Sequence, residues 1–358
     1  MKIFHLITTL ERGGAENQLV TLVREQIRDN NQVFVGYLKG KPELVTELEK
    51  MSATVLSEVS NLALILQIFK IRKIINKLEP DIIHAHLPRA ELISSLIKGK
   101  TKLILSKHNS ETFWPGVNAR LSRYLSKFTL KRANKVICIS QAVKNYLVSS
   151  GELPITLGEV VHYGYRLPDK ILSDENWQRY ENDNLIYIGT ISRLVKQKDL
   201  GSLIKAFAQA TLLYENLRLI IIGSGPLEKE LKKMAFELNV SEKIVWFGRT
   251  DSSIYLLKKM KIFILSSLYE GFGLVLLESM AAQTPIIASN NSCILEVLGK
   301  DNIGLFETGN VTDLKNKILD LLKDSKKRNQ MILDNSKRLE IFTPEAMWSN
   351  LKKIYLNV

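Results

Sequence analysis

Glu270 and Glu278 stand eight positions apart in "SSLYEGFGLVLLESMAAQTPIIAS" (266–289), with a Gly-Phe-Gly turn between them. The run "IFILSS" (262–267) ahead of them reads as a strand, and "GLVLLESMAA" (273–282) as a helix opening at its glycine. The N–H groups of a helix's first turn lack intrahelical partners and make a ready anion site. Gly271 and Gly273 let the backbone approach a ligand closely. Glu270 then falls in the loop above a sheet and Glu278 inside the helix. A carboxylate at either place can be an ordinary solvent-facing glutamate or a bidentate acceptor for paired sugar hydroxyls. The spacing around Gly-Phe-Gly favours the second.

Cations come from elsewhere. "IYIGTISRLVKQKDL" (186–200) ends a strand at Gly189 and carries Arg193, Lys196 and Lys198 in the following loop. "IIIGSGPLEKEL" (220–231) is a strand, a turn with Gly223 and Gly225, and a helix. Such a turn suits a phosphate and equally suits a tight strand-to-helix connection. With Arg193 and Lys198 it suggests a diphosphate clamp. In the first half, "LERGGAENQL" (10–19) puts Gly13 and Gly14 between a strand and a helix, either to admit a substrate or merely to turn. "IIHAHLP" (82–88) puts His84 and His86 on one face of a strand end. That pair invites a metal, yet no carboxylate or cysteine follows at ligand spacing, so no metal site is expected. "LSKHNS" (105–110) leaves His108 at a strand's carboxyl end, a position that is commonly structural but here lies on the ligand side.

The elements that must hold these residues alternate between β-rich runs and longer amphipathic stretches, the pattern of α/β folds with parallel sheets. The first half has strand candidates at 2–7, 32–37, 53–56, 81–84, 103–106 and 136–139, with helical patterns such as 15–29, 63–78 and 119–132 between them. The second has them at 185–189, 218–222, 244–247, 262–265 and 285–288. Two doubly wound, Rossmann-like domains are expected, 1–165 and 184–342, joined by the polar linker 166–183 and followed by a helix at 343–358. Ligands of this architecture bind at the carboxyl ends of the strands, here in a cleft between the domains.

The 358 residues suit two cores of roughly 150–180 residues each. Two cysteines, Cys138 and Cys293, make no disulfide framework and fit a reducing cytoplasm. No apolar run approaches the roughly 20 residues that span a bilayer, and "MKIFHLIT" reads as a buried strand rather than a leader. The net charge of +13 is uneven: residues 98–144 hold 11 basic residues and one acid, Glu111. Such a patch implies an anionic partner.

Taken together the motifs resemble the retaining glycosyltransferases of family four, with the GT-B fold. The resemblance covers nearly the whole chain: "GGAE" at 13–16, "HAH" at 84–86, "SKH" at 106–108, "ISRLVKQKDL" at 191–200, "GSGP" at 223–226, "WFGR" at 246–249 and "EGFGLVLLE" at 270–278. The last is similar to the family's Glu-x7-Glu motif and is the most specific. The resemblance implies that Arg193 and Lys198 hold the donor diphosphate and replace a metal. It implies that Glu278 accepts from the ribose, that Glu270 contacts the transferred hexose, and that the amides of Phe272, Gly273 and Leu274 complete the site. Gly14 would lie under the diphosphate, with Gly223 and Gly225 in the donor site. His108 would reach the sugar, and Arg249 of "WFGR" would lead into the base pocket.

The implied reaction is sugar transfer with retention from a UDP- or GDP-linked donor, with no cofactor, to a glycan or lipid-linked acceptor. A sugar-nucleotide epimerase of the same fold, or a non-catalytic partner subunit, are the alternatives. Departures from the family pattern bear on sugar identity: Tyr163 and Arg166 in "HYGYR" (162–166), "NNSCILEV" (290–297) with Glu296, and Thr190 and Ser192 where glycine is frequent. The final helix is expected on the N-terminal domain through Trp348, Leu351 and Ile354. In 119–135, Arg120, Arg123, Lys127 and Lys131 share one helix face while Leu121, Leu125, Phe128 and Ala133 lie largely elsewhere. A basic amphipathic helix of this kind reads as a membrane-surface element, which places the protein in the cytoplasm, peripheral on the inner face of the cytoplasmic membrane. No nucleic-acid partner is expected.

Overall fold

Short runs of Ile, Leu and Val, buried on both faces, pair in parallel into two sheets. The first contains β1 (Lys2–Ile7), β2 (Gln32–Tyr37), β3 (Thr54–Leu56), β4 (Ile82–His86), β5 (Lys102–Lys107), β6 (Lys135–Cys138) and β7 (Gly158–Val160), in the order β3-β2-β1-β4-β5-β6-β7. The second contains β8 (Ile186–Ile191), β9 (Leu217–Ile222), β10 (Ile244–Gly248), β11 (Ile262–Leu265), β12 (Ile286–Ser289) and β13 (Leu305–Phe306), in the order β10-β9-β8-β11-β12-β13. Helices connect the strands in each, so both are doubly wound. The computed structural model describes all of residues 1–358 except 112 and 115, and its contacts divide it into Met1–Tyr165 with Phe342–Val358, and Arg166–Ile341.

Both units put the loops that carry the expected site residues at the carboxyl ends of their strands. In the first, the helix Gly14–Arg28 follows β1, and Leu22 joins Ile3, Ile82, Ile104 and Ile137 in one core. The final helix, Pro344–Leu356, completes that core with Met347, Trp348, Leu351 and Tyr355 and returns the chain to the first unit. Thr343 caps it by accepting from Ala346 N at 3.1 Å, and Pro344 stands in its first turn, where a missing N–H costs nothing. Trp348 Nε1 donates to Asp29 Oδ2 at 3.0 Å. Ile354 packs at the edge of the same cluster.

The second unit's core gathers Ile188, Leu203, Phe207, Leu219, Ile264 and Ile318 among others. The stretch 166–183, expected as a linker, is counted with this unit, because Trp177 is buried against Tyr187 and Tyr180. The helix Ala119–Arg132 buries Ser122, Ser126, Thr129 and Leu130. Its apolar pattern is therefore not its core face, and Leu121 and Tyr124 are exposed.

Candidate active site

In the second unit the loops after β8 and β11 are sewn together. Leu268 N donates to Gln197 O at 2.8 Å, Gln197 Nε2 to Tyr269 O at 2.9 Å, and Ser266 Oγ to Lys198 O at 2.7 Å. This brings Lys198 Nζ within 2.5 Å of Glu270 Oε1, an oxygen that also accepts from Ser267 Oγ at 2.6 Å. Glu270 is 7% exposed and Lys198 14%, so the pair is shielded and its geometry is fixed. Asn291 caps the helix Ser292–Leu298 and donates from Nδ2 to Ser267 O at 3.0 Å, so the unusual "NNSC" turn braces Glu270 from behind. Arg193 stands exposed at the end of β8 with no ion pair among the described residues.

The helix Leu274–Ala281 opens at Gly273, whose φ of +80° is a left-handed conformation that costs other residues strain. Leu274 follows it at the first helical position, and Phe272 before it is buried. Glu278 lies on this helix, partly open to solvent, and its side chain has no hydrogen bond or ion pair with any described residue. Burial raises its carboxyl pKa to about 7.

Gly223 and Gly225 stand where two loops come close. A Cβ on Gly223 would lie 1.9 Å from Ser192 O, and one on Gly225 would lie 2.4 Å from Leu194 O. The Gly223 N–H is spent on Gly248 O at 2.7 Å. These glycines let the "GSGP" turn press against the backbone of the Arg193 loop, and the Gly223 amide is already bonded. Arg249 is exposed and donates from Nε to Ser224 Oγ at 2.9 Å in the same turn. Thr190 Oγ1 and Ser192 Oγ, beside Arg193, are buried with no hydrogen-bond partner among the described residues.

In the first unit Gly14 opens its helix with nothing within 4 Å of where a Cβ would stand, so its bare backbone is not required by packing. Glu16, two residues further, accepts from Thr9 Oγ1 at 2.6 Å, and burial raises its pKa. His108 does not point a nitrogen outward. Its Nε2 lies 3.2 Å from His86 Nδ1 and its Nδ1 lies 2.5 Å from the Tyr163 hydroxyl.

His86 and His84 share a face of β4 by the two-residue period, and His5, the register partner of His84 on β1, joins them. Ligand atoms of His5, His84 and His86 lie within 4.8 Å of one another, close enough to hold a metal ion. The third histidine that the sequence spacing lacks comes from 79 residues upstream of His84 (84 minus 5). Their ring nitrogens are nevertheless occupied: His5 Nε2 faces Gln26 Oε1 at 2.8 Å, and His5 Nδ1 faces His86 Nε2 at 3.1 Å. His84 lies between Tyr355 OH at 2.6 Å and Ser106 Oγ at 2.7 Å. No carboxylate or thiol joins the cluster among the described residues to balance a dication. Burial holds His5 near about 4 and His108 near about 3, the latter helped by the Lys107 charge, and keeps His84 and His86 well below the usual value. All four rings are neutral at physiological pH.

Two Rossmann-like parallel sheets of this kind make up the fold of a class of glycosyltransferases. Among solved structures the chain is similar to HepE from Anabaena in complex with UDP and glucose, with 21% identity, a TM-score of 0.86 and 100% of both chains covered. "Glycosyltransferase Family 4" matches residues 12–165 and "Glycosyl transferases group 1" matches residues 173–338. The chain belongs to this glycosyltransferase family. It is 24% identical to the capsular polysaccharide biosynthesis glycosyltransferase CapM of Staphylococcus aureus, over 99% of this chain and 96% of that one. It is 26% identical to an α-1,4-N-acetyl-D-galactosaminyltransferase of Campylobacter jejuni named for an undecaprenol-linked glycan, over 84% of this chain and 83% of that one.

Proposed function

We propose that this chain transfers a hexose-type sugar, with retention and without a metal ion, from a UDP- or GDP-linked donor to a hydroxyl of a glycan or lipid-linked acceptor. The observation that carries the reading is Glu278, a carboxyl on a glycine-opened helix with no hydrogen bond or ion pair to any described residue. Ribose hydroxyls would give that carboxyl the hydrogen bonds it lacks. Exposed Arg193 and the remaining N–H groups of Lys198 stabilise the leaving diphosphate. Glu270, fixed by Lys198 and Ser267, meets the hexose. As the bond from the anomeric carbon to phosphate breaks, the leaving phosphate takes the acceptor's proton and the new C–O bond forms on the same face. The protein's share is positioning and charge stabilisation. A thermal-shift screen of nucleotide sugars tests this. One donor should raise Tm in wild type and lose that effect in Glu278→Gln, whereas a wild type indifferent to every nucleoside diphosphate contradicts it.

The same reading places the work at an anionic membrane surface. Residues 64–78, 98–102 and 119–135 hold four, three and six basic residues and no acid, thirteen together, which equals the net charge of the whole chain. Leu121 and Tyr124 are exposed beside Arg120 and Arg123 on the helix Ala119–Arg132. Ile65 (67%) and Phe69 (66%) are exposed beside Lys70 and Arg72 on the helix Leu64–Leu78. A groove of about 660 Å³ carries Arg72, Lys98, Lys100 and Arg132. Each cation near anionic lipid contributes about 1 kcal/mol. No helix among the described residues is long and apolar enough to cross a membrane.

A further inference from the structure

Ser267 stands past the end of β11, beyond Leu265 and Ala288, the last registered pair of β11 and β12. Its carbonyl lies in a fully buried residue and needs donors that the ladder no longer supplies. Two side chains at the end of β12 supply them. Ser289 Oγ donates to Ser267 O at 2.5 Å, and Asn291 Nδ2 donates to it at 3.0 Å. The Asn291 amide has one orientation only, because its Oδ1 accepts from Ile294 N at 3.2 Å at the head of the helix Ser292–Leu298. Its Nδ2 therefore faces Ser267 and, at 3.3 Å, Ser289 Oγ.

Ser267 passes this constraint on. Its own hydroxyl donates to Glu270 Oε1 at 2.6 Å, three residues along the turn, where Lys198 Nζ also donates at 2.5 Å. One carboxylate oxygen is thus occupied twice within the unit. The other, Oε2, takes no hydrogen bond or ion pair from any described residue. A carboxylate held in this way accepts a hydroxyl from one direction, and hydroxyl epimers differ in that direction.

We propose that Asn291 is a positioning residue that sets the sugar selectivity of Glu270, acting through the Ser267 carbonyl and hydroxyl without touching substrate. The proposal rests on the glycosyl-transfer reading for the role of Glu270. Asn291→Asp isolates the amide arm: it keeps the oxygen that caps the helix and puts a second acceptor against Ser267 O in place of the Nδ2 donor. Asn291→Ser also keeps a capping oxygen and loses the arm.

The assay follows nucleoside diphosphate release with a lipid-linked glycan acceptor and a panel of UDP- and GDP-linked hexoses and N-acetylhexosamines taken in epimeric pairs. Wild type should prefer one member of a pair. Asn291→Asp should lower kcat/KM for that member about 10–100-fold and for its epimer much less, with the affinity for free UDP or GDP unchanged. Ser267→Ala should do the same, and the double variant should lose no more than either alone, since both break one path. Asn291→Ser should behave like Asn291→Asp, and it decides the matter if the aspartate variant does not fold. An equal loss for both epimers, or losses that multiply in the double variant, would reduce Asn291 to a helix cap. Wild-type selectivity in folded Asn291→Asp would overturn the proposal and leave the transfer reading standing. A wild type that releases nucleoside diphosphate from no donor would refute the transfer reading, and the proposal with it.

Discussion

Glu278→Gln should stabilise the second unit and cripple donor binding, with a pH signature that separates the two effects. Burial moves the Glu278 carboxyl from its usual 4.5 to about 7. That corresponds to at most about 3 kcal/mol against the ionised form. Because the side chain is partly open to solvent, about 1.5–3 kcal/mol is the working range. The sign follows from linkage. The unfolded chain releases this proton near pH 4.5 and the folded one only near pH 7, so stability falls as pH rises between them and stays lower above.

Glutamine stays neutral throughout. The variant should match wild type near pH 4.5 and gain stability by pH 8, where a unit of this size gives about 2–4 °C per kcal/mol, hence a Tm rise of about 3–12 °C. Calorimetry of both proteins at the two pH values reads this directly. Donor affinity should fall about 10–100-fold, the loss of a charged acceptor. A gain that is equal at both pH values, or absent at pH 8, would refute the idea that an ionised, unpartnered carboxyl is being held ready for ligand.

Lys198→Ala should lower turnover about 10²–10³-fold and cost about 1–3 kcal/mol of stability, because buried Glu270 loses its ion-pair partner; wild-type turnover in the folded variant would remove Lys198 from the clamp. Deleting 343–358 should unfold the first unit, since Trp348, Leu351 and Tyr355 leave its core. Trp348→Ala alone should cost about 3 kcal/mol, read by urea unfolding. Wild type should float with anionic vesicles at low salt, and a variant with Arg120, Arg123, Lys127 and Lys131 changed to Ser should not. Equal flotation of the two would free that helix from the membrane role.

The strands were legible because buried parallel strands are continuous apolar runs, and eleven expected positions each hold one. Only β7 (Gly158–Val160) and β13 (Leu305–Phe306) escaped, being three and two residues long with too little pattern to distinguish them from loop. The polar composition of 166–183 concealed one buried residue, Trp177, which with the bonds from Thr250 to Asp174 and from Ser252 to Ser173 ties the segment to the second unit. On the helix Ala119–Arg132 hydrophobic periodicity misled, because the buried seam is made largely of hydroxyls: Ser122, Ser126 and Thr129.

At the site, Glu270 and Glu278 announce themselves by spacing around glycines. The Lys198–Glu270 pair does not, since the two are 72 residues apart. Gly223 and Gly225 are required where they stand, but for a close approach of two loops that no local sequence reveals. His5 was the least visible. A lone histidine in an apolar strand is usually just buried, and only the β1–β4 register puts it beside His84. Gln26 was equally hidden, since it meets His5 through packing rather than through any motif.

The most direct measurement of the central claim is the anomeric configuration of the product. The enzyme would be incubated with its α-linked nucleotide hexose and a lipid-linked glycan acceptor in the presence of EDTA, and the new linkage read by proton NMR. An α-linked product formed at an undiminished rate under EDTA, and lost in Lys198→Ala, is the predicted result. A β-linked product, or transfer that stops when divalent ions are chelated and resumes when they are returned, would contradict a retaining transferase whose diphosphate is held by Arg193 and Lys198.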